Sequence, residues 1–155
     1  MSDLRSDLRV YVYDCPEDQC DAAGAYFAES GRGFGINWSN VAEPGPELEM
    51  DEPYTLSEAP YRALEDVVAE LREAAPGVSF MAWSDPDSEG LGELIAFTPA
   101  LGEYTGECDS SGDPVVTRSD VKEWARKGTP AADADRELGG PWFDHYDKHM
   151  RGARR

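Results

Sequence analysis

The residues that most restrict the fold lie between 78 and 116, where short apolar runs alternate with turn residues at the spacing of an antiparallel meander. In an extended chain Val78, Phe80 and Ala82 point one way and Ser79, Met81 and Trp83 the other. Both faces are then semi-apolar, which suits a central strand. Residues 84–90 break the run with a proline, a glycine and polar side chains, and residues 94–97 read as a second buried strand. Pro99-Ala100-Leu101-Gly102 is a turn, residues 103–108 a third strand, and Asp109-Ser110-Ser111-Gly112 a tight turn ending in glycine. Val115 and Val116 are expected to begin a short fourth strand, with Pro114 suiting an edge because it lacks a donor.

Upstream, residues 8–13 (LRVYVY) have the alternation of a first strand. Asp14 and Glu17 stand at capping-box spacing, and Pro16 is tolerated in a first turn. A helix is therefore expected with Cys20, Ala23, Gly24 and Phe27 on one face, stopped by Gly31. Residues 34–38 (FGINW) read as a second strand, and residues 40–55, with Pro44, Gly45, Pro46 and Pro53 among acids, as a loop. Ser57 is the expected cap of a second helix. Its apolar positions are Tyr61, Leu64, Val67, Val68 and Leu71, its outer ones Arg62, Glu65, Asp66, Glu70 and Glu73, and Pro76-Gly77 ends it. After the meander, Ser119 or Asp120 caps a short helix with Val121, Trp124 and Ala125 inward.

This order predicts an α+β, two-layer sandwich with a mixed or antiparallel sheet, the first two helices on one face, and a short C-terminal helix and tail. The expected core is Val10, Val12, Phe27, Ile36, Leu64, Val67, Val68, Leu71, Phe80, Leu94, Ile95 and Trp124. The chain divides into an acidic α+β domain (1–127), an Ala-, Gly- and Pro-rich linker (128–141) and an amphipathic aromatic segment (142–155). In that segment Trp142, Phe143, Tyr146 and Met150 share one helical face. So short a helix needs a surface to dock on, in cis or in trans, and a trans dock would make a homodimer.

Charge narrows the function classes. Residues 1–120 hold six arginines and no lysine against 26 acidic residues, leaving −20, whereas residues 121–155 hold eight basic and six acidic residues, leaving +2; together they make the net −18. Such a body offers no basic stripe to phosphates, so direct nucleic-acid binding and anionic membrane binding are excluded. With 155 residues the chain is long enough to fold without a metal or disulfide, and its three cysteines read as reduced thiols. No apolar run is long enough to span a membrane and no signal-like start is evident, so a cytoplasmic location is expected.

In charge and size the combination of a small α/β body and heavy acidity resembles phage- and plasmid-borne inhibitors that mimic DNA, antirestriction proteins among them. That resemblance implies a basic protein partner, in particular one that binds nucleic acid. The residues expected to present the charge are Glu43, Glu47, Glu49, Asp51 and Glu52 in the loop and Glu58, Glu65, Asp66, Glu70 and Glu73 along the second helix, with Trp142, Phe143, Tyr146 and Met150 as apolar anchors. The alternative is a small enzyme or ligand-binding domain with a carboxylate-lined cleft; Glu103 and Glu107 are one pair able to do acid and base work.

Other patterns are weaker. His145 and His149 have the i, i+4 spacing of metal ligands but lack a third partner in sequence, so no metal or other cofactor is expected. Asp85, Asp87, Glu89 and Gly90 imitate half a calcium loop, yet Ala96 stands where a bidentate glutamate is required. Gly31-Arg32-Gly33 follows a helix instead of opening one, and no serine or cysteine sits in a nucleophile motif.

Overall fold

The computed structural model describes residues 5–36, 42–50, 52–60, 62–87 and 90–153, with side chains as far as residue 149. Its strands are β1 (Arg5–Asp14), β2 (Gly35–Ile36), β3 (Tyr54–Pro60), β4 (Ser79–Ser84), β5 (Gly92–Thr98) and β6 (Gly102–Cys108); its helices are α1 (Cys20–Glu29), α2 (Ala63–Ala74), α3 (Arg118–Lys127), α4 (Ala131–Glu137) and α5 (Gly140–Ala153). The six strands form one antiparallel sheet in the order β2-β3-β1-β4-β5-β6. Up to β4 this is the βαββαβ, or split-βαβ, connectivity, extended on one side by the β5–β6 hairpin. The predicted α+β sandwich is the observed one.

Alternation along the central strands sends side chains into two separate cores. On one face Leu8, Val10 and Val12 of β1, Phe80 and Ala82 of β4, and Ile95 and Phe97 of β5 pack with Ala23 and Phe27 of α1 and Leu64, Val67, Val68 and Leu71 of α2. On the other face Tyr13 of β1, Met81 and Trp83 of β4, Leu94 and Ala96 of β5 and Cys108 of β6 pack with Trp142. Gly24 lets α1 approach its surroundings closely: a Cβ there would lie 2.5 Å from the carbonyl oxygen of Pro46 and 2.9 Å from the amide nitrogen of Leu48. The 42–50 segment is thereby drawn against α1. It is fastened further by Tyr54, whose ring stacks on Phe27 at 3.7 Å and whose hydroxyl accepts from the Glu49 N–H at 2.8 Å.

Several expectations are corrected. The stretch read as the end of a loop and the start of a helix is β3. Ala59 precedes Pro60, which disfavours helical backbone there, so the chain stays extended and pairs with β1 through Tyr54↔Val10 and Leu56↔Leu8. Ser57 is not a helix cap, and Glu58 lies on the strand. An irregularity in the register gives Glu58 a φ of 51°, and its N–H donates to the Asp7 carboxylate at 2.9 Å. The helix begins after Arg62, itself left-handed at φ 69°.

Asp14 and Glu17 form no capping box either. Residues Glu17–Gln19 make a 3-10 turn after Pro16, without a side-chain cap, and α1 starts at Cys20. The capping box falls instead at α3, where the Thr117 hydroxyl accepts from the Asp120 N–H and the Asp120 carboxylate from the Thr117 N–H, both at 3.1 Å. No residue of α3 is buried. Val121 is 52% exposed, and Trp124, expected in the core, is partly exposed with its indole N–H donating to Glu137. Instead of a fourth meander strand there is one isolated bridge, Cys108↔Pro114, made by the Asp109 N–H donating to the Asp113 carbonyl at 2.9 Å and the Val115 N–H to the Glu107 carbonyl at 3.2 Å. Ile36 is half-buried against the first core. Tyr61 and Trp38 lie outside the described residues.

Within 128–141, read as a linker, Pro130 sets the extended entry to α4; the Tyr104 hydroxyl donates to the Glu137 carbonyl at 2.9 Å. Gly139, at φ 83°, turns the chain into α5 against the Tyr104 ring, which a Cβ would approach to 2.6 Å. The aromatic segment then docks in cis on the second sheet face. Trp142 is 9% exposed and its indole N–H donates to the Gly102 carbonyl at 2.9 Å; Tyr146 stands edge-on to Tyr13, their centroids 5.2 Å apart. The side chain of Met150 lies outside the described set.

Two outcomes follow. Trp142→Ala removes the residue that anchors α5 and should lower unfolding stability by about 3 kcal/mol in urea titration; a loss below about 0.5 kcal/mol would show the helix to be only loosely held. Gly24→Ala should cost more than the few tenths gained elsewhere from a helical Gly→Ala change, because backbone atoms of residues 46 and 48 occupy the space, and its melting temperature should fall.

Candidate functional site

The structure brings most of the acids expected at the interface into the helical layer on one sheet face. Glu43, Glu47 and Glu49 are exposed on the segment fastened to α1; Glu65, Asp66 and Glu73 are exposed on α2. Glu70 departs from that set. It faces α1, where it accepts from the Tyr26 hydroxyl (2.8 Å) and from Arg32 Nε (2.8 Å) in a two-pronged pair with the guanidinium. Hydrogen bonding from Arg32 holds its carboxyl below the usual range. Glu70 is thus an α1–α2 clasp whose charge is already matched. Glu58 lies apart at the β1–β3 end, its carbonyl accepting from Arg5 at 3.1 Å, and Glu52 is half-buried beside β3. Asp51 lies outside the described residues.

Three of the body's arginines are committed to carboxylates within it. Arg9 pairs with Asp85, Arg32 with Glu70, and Arg72 with Glu103 at 3.3 Å. Among the described residues, Glu43, Glu47, Glu49, Glu65, Asp66 and Glu73 make no ion pair.

A second arrangement was not legible in advance. Between α2 and the β5–β6 hairpin lies a hollow of about 260 Å³ lined by Glu65 and Arg72 of α2 and by Glu93, Ile95, Glu103 and Thr105 of the strands. Arg72 lies over the Phe97 ring, 4.0 Å from its centroid, while pairing with Glu103. Burial, and then the charge of Glu65, push the Glu93 carboxyl up. Glu93 also stands directly across from Glu107 in the β5–β6 register. The pair weighed from sequence, Glu103 and Glu107, is therefore split: Glu103 lines the hollow with Arg72, and Glu107 is on the same exposed strand face beyond it. The signal for Glu93 was its parity. It shares a face with Ile95 and Phe97, so a carboxylate occupies an otherwise apolar position.

His145 and His149 lie over Tyr13, with ring centroids 5.9 and 5.8 Å from it. His145 Nδ1 is 3.1 Å from the Tyr13 hydroxyl and His149 Nε2 is 3.8 Å from Asp14. Burial pushes the Tyr13 phenol up to about 12. Among the described residues no group of three or more His, Cys, Asp or Glu could hold a metal ion. Asp85 is committed to Arg9, and Asp87 and Gly90 close the β4–β5 hairpin loop. All three cysteines are free; burial pushes Cys15 and Cys108 up to about 12, away from thiolate reactivity at neutral pH. No helix among the described residues is long and apolar enough to cross a membrane.

Comparison with family models, with curated proteins and with solved structures returned no match.

The raised carboxyl of Glu93 has a definite sign in stability. The folded state holds that proton more tightly than the unfolded chain, so the stabilisation it gives is present in acid and is lost as pH rises through the folded value. Glu93→Gln should accordingly raise the melting temperature at pH 7, with the gain shrinking as pH falls into the ordinary carboxylate range. An equal gain at both pH values would show that the ionised form is not penalised in this hollow.

Proposed function

We propose that this protein is an acidic interaction module that docks its helical layer on a basic protein surface. The observation that supports it is the division of charge: Arg9, Arg32 and Arg72 are paired within the body, while Glu43, Glu47, Glu49, Glu65, Asp66 and Glu73 are exposed on one layer and make no ion pair among the described residues. Such an arrangement gives fast, salt-sensitive association with a partner of opposite potential. The finer reading is that the partner is a cytoplasmic nucleic-acid-binding protein whose DNA surface is occupied, as in phage- and plasmid-type inhibitors. Asp66, Glu70 and Glu73 span about 10 Å of helix axis. One DNA strand carries a phosphate roughly every 3.4 Å of axis, so three carboxylates at intervals of about 5 Å make α2 a sparser row than a single strand. Because Glu70 is matched by Arg32, the loop acids would have to supply the rest of the row.

The hollow beside Glu93 supports a second reading, a ligand-binding or catalytic domain. There a carboxyl that keeps its proton to higher pH sits in the same hollow as Glu103, which pairs with Arg72 at 3.3 Å, so two carboxyl groups in different surroundings face one space.

Affinity capture at low and high salt, with duplex DNA as competitor, separates the readings. The first expects basic nucleic-acid-binding proteins to be retained at low salt and released by salt or DNA. A variant neutralised at Glu43, Glu47, Glu49, Glu65, Asp66 and Glu73 should retain none of them. Failure to retain any basic protein at low salt, or retention unchanged in the neutralised variant, would overturn it.

A further inference from the structure

The second sheet face is only partly covered by α5. Between that helix and the loop following β6 is a pocket of about 380 Å³ walled by Tyr11, Trp83, Phe143 and Tyr146, with Met81 also in its lining. Its size is at the small end of the range for small-molecule sites. The Tyr11 and Tyr146 rings are 5.9 Å apart at 87°, so they form adjoining walls and do not close on each other as a stacked pair. The Trp83 indole is held by donation to the Ser110 carbonyl at 3.3 Å. Gly112 lies against it so closely that a Cβ would come within 2.8 Å of Cδ2.

The loop that closes this side is itself tied down. The Asp109 carboxylate accepts from the N–H groups of Ser111 (2.9 Å) and Asp113 (3.0 Å), and the Asp109 N–H donates to the Asp113 carbonyl at 2.9 Å. That fixes Asp113 at the pocket, where Asp147 of α5 supplies a second carboxylate; among the described residues the lining contains no basic side chain.

Aromatic walls and two carboxylates select together what neither selects alone. Ring faces carry negative quadrupole density and attract cations, most strongly when the cation is poorly hydrated. An anion would meet two carboxylates on a chain of net charge −18. A small hydrated metal ion would gain nothing from four aromatic side chains. We propose that this pocket binds an organic cation, an alkylammonium group seated among Tyr11, Trp83, Phe143 and Tyr146 and charge-paired with Asp113 and Asp147. The site lies on the sheet face opposite the acidic helical layer, so it stands independently of the interface proposed above.

The test is calorimetric titration of the full chain, with the Trp83 indole N–H resonance as a local probe. Choline is compared with its neutral isostere 3,3-dimethylbutan-1-ol, and with a short peptide carrying trimethyllysine. Choline or the peptide should saturate the site and shift the Trp83 resonance, and the neutral isostere should bind about tenfold more weakly or worse. The tighter of the two cationic probes identifies the source as a small molecule or a protein side chain. Asp113→Asn with Asp147→Asn changes two exposed side chains and should weaken cation binding severalfold without lowering the melting temperature; Tyr146→Leu should weaken it further. The proposal is overturned if the isostere binds as tightly as choline, if neither cation saturates the site, or if the folded double-Asn variant binds the cation as well as the parent.

Discussion

The structure depends on one strand being buried on both faces. β1 lies in the middle of the sheet, paired with β3 on one side and β4 on the other, and its side chains divide strictly by parity. Leu8, Val10 and Val12 enter the core under α1 and α2, while Tyr11 and Tyr13 enter the layer under α5. A one-residue slip would exchange aliphatic groups for tyrosines throughout both layers at once, so the register is strongly specified. Aliphatic packing on the first face is tight enough to bury Val10 and Val12 completely. The second face is built of larger aromatic groups that need polar partners, and they find them in the Gly102 and Glu137 carbonyls.

That asymmetry determines where open space occurs. Small and branched residues close the interface between the sheet and α1–α2. Where α2 ends its coverage, the β5–β6 hairpin leaves carboxylates beside apolar groups, and Glu93 is the group that meets this environment. On the other face a single helix spans several strands. Rings meeting edge-on, as Tyr11 and Tyr146 do, leave a walled pocket where branched aliphatic chains would have interdigitated.

Electrostatics act on the same frame. A net charge of −18 on a chain this size works against compactness through self-repulsion, and the fold answers by pairing arginines across elements. Arg32 joins the end of α1 to Glu70 of α2, Arg9 joins β1 to Asp85 after β4, and Arg72 joins α2 to Glu103 on β6. Partly exposed pairs of this kind contribute modestly to stability one by one. Their larger effect is on the surface, because they withdraw positive charge from it and leave the outward carboxylates of α2 and the 42–50 segment uncompensated.

What the sequence determined by itself was local and periodic. The 3.6-residue spacing of Leu64, Val67, Val68 and Leu71 specified α2 and its buried face, and strict alternation from Phe80 to Trp83 specified a central strand with two apolar sides. The small face of α1 and the aromatic face of the last helix were legible for the same reason. β3 was not, because Tyr54, Thr55 and Leu56 are a short, mostly apolar run followed by Ser57, Glu58, Ala59 and Pro60, and a run that short fits a strand or a helix lead-in equally until β1 is there to pair with it. The partners of the charged residues were likewise beyond the sequence. Glu70 looked like one more outward acid on α2, and only the packing of α1 against α2 brought Arg32 and Tyr26 to it. Glu93, Trp83 and Asp113 acquired their roles from tertiary structure alone: residues separated by up to 136 positions, such as Tyr11 and Asp147, line one pocket because an antiparallel sheet and a returning helix place them there, and no local pattern encodes that juxtaposition.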